Sequence, residues 1–257
     1  MFQNIYPVFE AKRLLKKDML ENLRDFPRSL FYLQYQNYSD GILTGCDIKG
    51  TASGLMILPG IVCYKGVPYF LDEPYPVSCK AEGKQVYIKV HFWDKAIGGS
   101  GEEFLSQIAV DEEEPDAEQE LELGRFKLQS GARLRTEYAG FYDYETECDT
   151  VNRIYSPYAA PDHPGIWPQI FKCFAEELLK YRVTNPWDSA FCLNCLQLKE
   201  AMPYEAARAY LNAKLKQDKE YTNMQAYSAL KKILRETGGR KGEPERSQKK
   251  EGTLLML

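Results

Sequence analysis

Cys192-Leu193-Asn194-Cys195 has the two-residue gap found in zinc and redox sites. A structural zinc needs four ligands, yet no second cysteine pair follows at useful spacing, and His91 and His163 lie far away in sequence. The pair therefore reads as buried helical thiols, because a free cysteine packs like a small apolar side chain. Gly98-Gly99-Ser100-Gly101 has the glycine content of a phosphate cradle, but Glu102-Glu103 stand where a nucleotide loop requires Lys and Ser or Thr. Two carboxylates repel phosphate, so the segment reads as a hairpin loop. Asp143 and Glu145, within Phe141-Tyr142-Asp143-Tyr144-Glu145, are the best candidates for a glycosidase carboxylate pair; the other readings are strand-end charges or ligand contacts. His91, between Val90 and Phe92, has no Ser, Cys or Asp beside it in a nucleophile motif and reads as a strand-face residue. No catalytic residue, metal ligand or cofactor is assigned, and the chain is expected not to be an enzyme.

The elements that position these residues follow from composition and pattern. Of 257 residues 44% are hydrophobic and 27% charged, a balance that supports globular cores rather than disorder. A net charge of -4 argues against coating nucleic acid, which requires concentrated Lys and Arg. No segment reaches the roughly 20 apolar residues of a membrane span, and Met1 to Glu10 lacks the layout of a signal peptide. Seven cysteines, an odd number scattered through apolar runs, fit reduced core thiols. The expectation is synthesis in a reducing cytoplasm.

The predicted fold class is α+β: an N-terminal helix, an antiparallel β-sandwich or small barrel, then a C-terminal helical bundle. Leu14, Leu15, Met19, Leu20 and Leu23 recur at near-helical spacing and predict an amphipathic helix over 12–30 that ends near Pro27. Phe31 to Tyr38 fits either an extension of that helix or the start of a sheet. From Asp40 turn residues recur between runs rich in Ile, Val, Tyr and Phe, predicting strands at 42–48, 54–58, 61–64, 67–71, 75–79 and 85–92. Pro59-Gly60 and Lys65-Gly66 supply turns, and Val86, Ile88 and Val90 alternate with period two, so that one face is buried. The acidic run from Asp111 to Glu122 suits a solvated loop, after which Leu121, Leu123, Phe126 and Leu128 return the chain to the sheet. Helices are predicted at 167–181, 186–198, 204–216 and 221–235, with Pro186 and Pro203 at their starts. This gives a helical segment at 1–37, a β-domain at 38–160, a bundle at 161–237 and a disordered tail at 238–257. The tail ends in Leu254, Leu255, Met256 and Leu257, an apolar hook suited to partner contact.

Tyr38-Ser39-Asp40-Gly41-Ile42-Leu43-Thr44-Gly45-Cys46-Asp47-Ile48, then Gly54 to Val62 and Tyr64 to Leu71, resembles a recurring β-module of phage tail-fibre and baseplate proteins. The shared pattern is a glycine-flanked strand, a strand ending in Pro-Gly, and a hairpin with Gly in its turn. The resemblance, which covers Tyr38 to Phe92, implies a structural or adaptor component of a phage tail, baseplate or phage-like contractile particle. Its partners would be neighbouring tail or baseplate proteins, contacted within an oligomeric assembly. The 18 tyrosines keep open the alternative of a cytoplasmic carbohydrate- or protein-binding module without catalysis. An unrecognised hydrolase is the third class.

Overall fold

The computed structural model describes residues 7–12, 14–52, 54–79, 83–93, 96–98, 101–181 and 183–239. Among these residues the element order is helix α1 (Lys17–Tyr35), eleven strands, a 3-10 turn (Phe141–Glu145) and four further helices. The strands are β1 (Gly41–Gly45), β2 (Ile48–Gly50), β3 (Gly54–Ile57), β4 (Gly60–Tyr64), β5 (Val67–Leu71), β6 (Tyr75–Ser78), β7 (Gln85–Phe92), β8 (Ala96–Gly98), β9 (Gly101–Glu103), β10 (Ser106–Asp111) and β11 (Glu120–Lys127). The helices are α2 (Pro168–Leu179), α3 (Pro186–Gln197), α4 (Tyr204–Leu215) and α5 (Asn223–Gly239). The expected class holds: an N-terminal helix, antiparallel sheets, then helices.

The β part is three small sheets, β1-β4-β5, β2-β3-β6 and β10-β7-β11, with β8 and β9 paired as a hairpin. All three contribute to one core, in which Ile42, Leu55, Ile57, Ile88 and Leu123 are almost wholly buried. Lys65 and Gly66 both take positive φ, the geometry of a tight two-residue hairpin turn, and so fix the pairing of Tyr64 with Val67.

The predicted strand at 42–48 is broken, and the break builds a corner. β1 pairs with β4 and β2 pairs with β3, so both chain passes cross together from one sheet to the next. Gly45 meets Gly60 there, with Cys46 N donating to the Pro59 carbonyl at 3.2 Å. A Cβ on Gly45 would lie 2.3 Å from Pro59 O, and one on Gly60 would lie 2.3 Å from Cys46 N. Only glycine permits this approach, and Gly45 also needs it for a φ of 66°.

β11 explains why its apolar residues change phase, from Leu121 and Leu123 to Phe126 and Leu128. The register against β7 slips between Glu122 and Gly124, and this bulge turns all four side chains inward. Both faces of the central strand β7 are covered, where the alternation predicted one. Ile88, Val90 and Phe92 enter the core, while Lys89 on the other face is buried by ion pairs with Asp111 at 3.0 Å and Glu120 at 2.9 Å. The acidic loop after Asp111 folds back over that face, and the Glu113 carbonyl also accepts from Lys89.

α1 does not stop at Pro27; it runs through it to Tyr35. A proline there removes one intrahelical donor, but Phe31 and Tyr35 beyond it pack on Leu43, Cys63 and Ala159, and that docking sustains the last turns. α2, α3 and α5 start close to the expected residues, Pro168 and Pro186 occupying first-turn positions and Asn185 capping α3 through Trp187 N. Pro203 sits one residue before α4, and α5 extends to Gly239, past the expected end. The helices pack around Phe171, Phe174, Leu178, Tyr227 and Leu230. The 3-10 turn adds Phe141 and Tyr144 to this core: Phe141 stacks on Tyr227 at 4.9 Å, and Tyr227 Oη donates to the Phe141 carbonyl at 2.7 Å.

The corner yields a stability prediction. Gly45→Ala should cost about 3 kcal/mol or more, because strained φ and backbone overlap add. Urea unfolding measures it as a lower midpoint, whereas Gly66→Ala, with open space around its Cβ, should lose only the strain of its positive φ.

Candidate interaction surfaces

The residues singled out for chemistry are engaged in structure. Cys192 and Cys195 lie on α3 and point into the helical core, fully buried. Burial pushes the Cys192 thiol up to about 11 and Cys195 higher still, the opposite of what thiolate ligation or redox attack requires. Asp143, in the 3-10 turn, accepts from both Arg135 guanidinium nitrogens, from Ala139 N at 2.7 Å and from Thr146 Oγ1 at 2.8 Å. The Arg135 hydrogen bonds hold its carboxyl well below the usual range, so it cannot carry a proton for transfer at neutral pH. Glu145 is paired with Lys231 of α5. These two carboxylates fasten the 3-10 turn to its surroundings.

His91 is half-buried on β7, with Nδ1 3.3 Å from Glu120 Oε1 and its ring edge against Trp93. Gly98 and Gly101 end the strands of the β8–β9 hairpin, as expected of a loop, and Gly99 and Ser100 lie outside the described residues. Leu254, Leu255, Met256 and Leu257 also lie outside them. Among the described residues there is no group of three or more His, Cys, Asp or Glu placed to hold a metal ion, and no helix is long and apolar enough to cross a membrane.

Among the described residues two concave surfaces of several hundred Å³ stand out. The first is a cleft of about 630 Å³ between the β1–β2 corner and the start of α2. Arg153, almost wholly buried, forms its floor: Nη1 donates to Asp47 Oδ1 at 3.1 Å and Nη2 to the Cys46 carbonyl at 3.1 Å, with the Trp167 ring 4.5 Å from the guanidinium carbon. Lys49, Lys172 and Lys199 line the cleft together with Asp47, Glu137 and Glu200, so it carries charges of both signs. Glu200 also accepts from Tyr38 Oη at 2.7 Å, which ties the end of α1 to the α3–α4 connection.

The second is a groove of about 870 Å³ between α1 and the edge strand β5. Phe31 and Tyr35 form one wall and Val67, Pro68 and Phe70 the other, with Phe104 and Leu105 at one end. Its chemistry is apolar and aromatic: Phe70 is 65% exposed, Tyr32 59% and Leu105 50%. The exposed apolar side chains here are contiguous rather than scattered. The sequence signal was present in Phe31-Tyr32 and Pro68-Tyr69-Phe70, but their juxtaposition depends on α1 continuing past Pro27.

No known protein family matches the chain, and no curated protein matches it. Solved structures similar to it do exist. A crystal structure of TssK is 11% identical with a TM-score of 0.41, over 88% of this chain and 69% of that one. A chain in the structure of the type VI secretion system TssK-TssF-TssG baseplate subcomplex is 10% identical with a TM-score of 0.40, over 90% of this chain and 99% of that one.

Two measurements check the reading of the buried groups. In the native protein an alkylating reagent should modify exposed Cys148, while Cys192 and Cys195 react only after unfolding; mass spectrometry of the labelled peptides decides. Asp143→Asn should destabilise by about 2 kcal/mol at pH 7, the usual scale for charged hydrogen bonds. Because the folded carboxyl ionises below its ordinary value of 3.8, its stabilisation is complete above that value and is lost as pH falls through the folded-state value. The difference between variant and parent in urea should therefore narrow under acid.

Proposed function

We infer that this chain is a structural or adaptor component of a phage tail, baseplate or phage-like contractile particle, acting through protein–protein contacts and not through catalysis. The observation that carries the reading is the apolar groove between α1 and β5, whose aromatic walls suit the side chains of a neighbouring protein. The class of particle comes from the sequence resemblance over Tyr38 to Phe92, whose turns at Pro59-Gly60 and Lys65-Gly66 lie on the sheet that forms one side of this groove. The TssK-TssF-TssG baseplate subcomplex is an assembly of the proposed kind. Synthesis in the cytoplasm, and assembly there with baseplate neighbours, belong to the same proposal.

Leu254, Leu255, Met256 and Leu257 enter as a second contact. Docking such a tetrapeptide removes on the order of 300 to 500 Å² of apolar area from water, roughly 8 to 12 kcal/mol before ordering costs. Fixing the segment consumes about 1 to 2 kcal/mol per residue, which leaves enough to reinforce an interface but not to found one.

Co-purification from the producing cell tests the function. The tagged protein should bring down sheath, tube or baseplate proteins, and the pair Tyr32→Ala with Phe70→Ala should weaken that capture by about tenfold or more while leaving the thermal transition unchanged. Deleting residues 252–257 should reduce incorporation at limiting subunit concentration. Unchanged capture by the double variant would remove the groove from the reading, and a reproducible ligand on a glycan array would favour the carbohydrate-binding alternative.

A further inference from the structure

α1 carries a second apolar surface, separate from the groove. Met19, Leu23, Phe26, Leu30 and Leu33 follow one another at alternating steps of four and three residues, the seam of a heptad repeat. The seam lies on the side of the helix away from Phe31 and Tyr35, which hold α1 to the body. Leu23 is 57% exposed, Phe26 51%, Leu30 58% and Leu33 62%, and no residue of α1 is fully buried. Among the described residues, none covers more than about half of any of these four side chains.

The borders of the seam say what covers it. Within the helix the flanking positions are Leu20, Asn22, Pro27, Ser29 and Gln34, none of them charged. The helix's charges sit on the side opposite the seam, where Lys17 pairs with Glu21 at 3.2 Å and Arg24 with Asp25 at 2.6 Å. A seam with no charge on either border repels no copy of itself, and it selects no charged partner either. The pattern is also self-complementary. When two copies lie antiparallel about Arg28, Leu23 meets Leu33 of the second copy and Phe26 meets Leu30, and the reverse contacts follow by two-fold symmetry. Burying the exposed halves of these side chains on two copies removes on the order of 1,000 Å² from water, near the lower bound for a specific interface.

We propose that the outer face of α1 is a homotypic interface, through which two copies of this chain pair by antiparallel packing of Leu23, Phe26, Leu30 and Leu33. The four pairing side chains are not among those that line the groove, and Pro27 alone borders both, so the pairing stands or falls separately from the adaptor reading: loss of the groove contact leaves it intact, and its own loss leaves capture of neighbours intact. Sedimentation of the full chain at micromolar concentration should give twice the monomer mass. Leu23→Glu with Leu30→Glu should return it to a monomer with unchanged near-ultraviolet circular dichroism, since neither side chain is buried in the fold. A monomeric parent protein, or a dimer that survives the double variant, would overturn the proposal. Disulfide trapping in a Cys148→Ser background gives an independent readout. Oxidised mixtures of Leu23→Cys and Leu33→Cys proteins should cross-link to each other, and neither variant should cross-link to itself. Self-linked Leu23→Cys dimers without mixed ones would overturn the antiparallel arrangement.

Discussion

A guanidinium withdrawn from water holds the crossing point of this fold. Arg153 reaches the β1–β2 corner through the Asp47 carboxylate and the Cys46 carbonyl, and it lies against the Trp167 ring at the entry to α2. A charge with so little exposure persists only where its hydrogen bonds are fixed in advance, and the corner fixes them. Asp47 is the partner that remains more than half exposed, so the pair keeps one side hydrated and avoids the full cost of a buried ion pair. Corner, cleft and helix entry are therefore set by one side chain.

Around that point the sheets and helices interlock. Tyr138 stacks on Tyr144 at 4.3 Å and donates to the Val151 carbonyl at 2.6 Å, while Tyr144 and Phe141 belong to the helical core. Ala201, from the α3–α4 connection, lies in the β core instead. Trp167 packs against both cores. α1 is anchored chiefly through Phe31 and Tyr35, and among the described residues it keeps an extended apolar surface uncovered.

Much of the architecture was legible because turn chemistry is local. Lys65-Gly66 and Pro59-Gly60 announce their turns from two residues each, and Pro186 announces a helix start. The break at Gly45-Cys46-Asp47 was not legible, since it depends on Gly60 arriving from fifteen residues away. The continuation of α1 through Pro27 was hidden for a similar reason: the cost of the proline is local, but the compensation by Leu43, Cys63 and Ala159 is not. The bulge in β11 did leave a trace, the change of apolar phase between Leu123 and Phe126, although only a paired strand gives that trace a meaning. Arg153 left none. It sits in the irregular segment Asn152-Arg153-Ile154, where no period exists to mark a residue as inward. The candidate surfaces were visible as aromatic and leucine-rich words in the sequence, while their division into a groove and a seam required the helix axis.

The double crossing at the β corner also determines how the molecule answers a pull. Two strands pass from one sheet to the next side by side, joined by the Gly45–Gly60 and Ile48–Ile57 pairs on either flank. Tension applied along both passes loads those pairings in parallel, so they must shear together instead of peeling in sequence. A corner made from a single pass would open like a hinge; this one acts as a lap joint and transmits a strain imposed on one sheet directly into its neighbour.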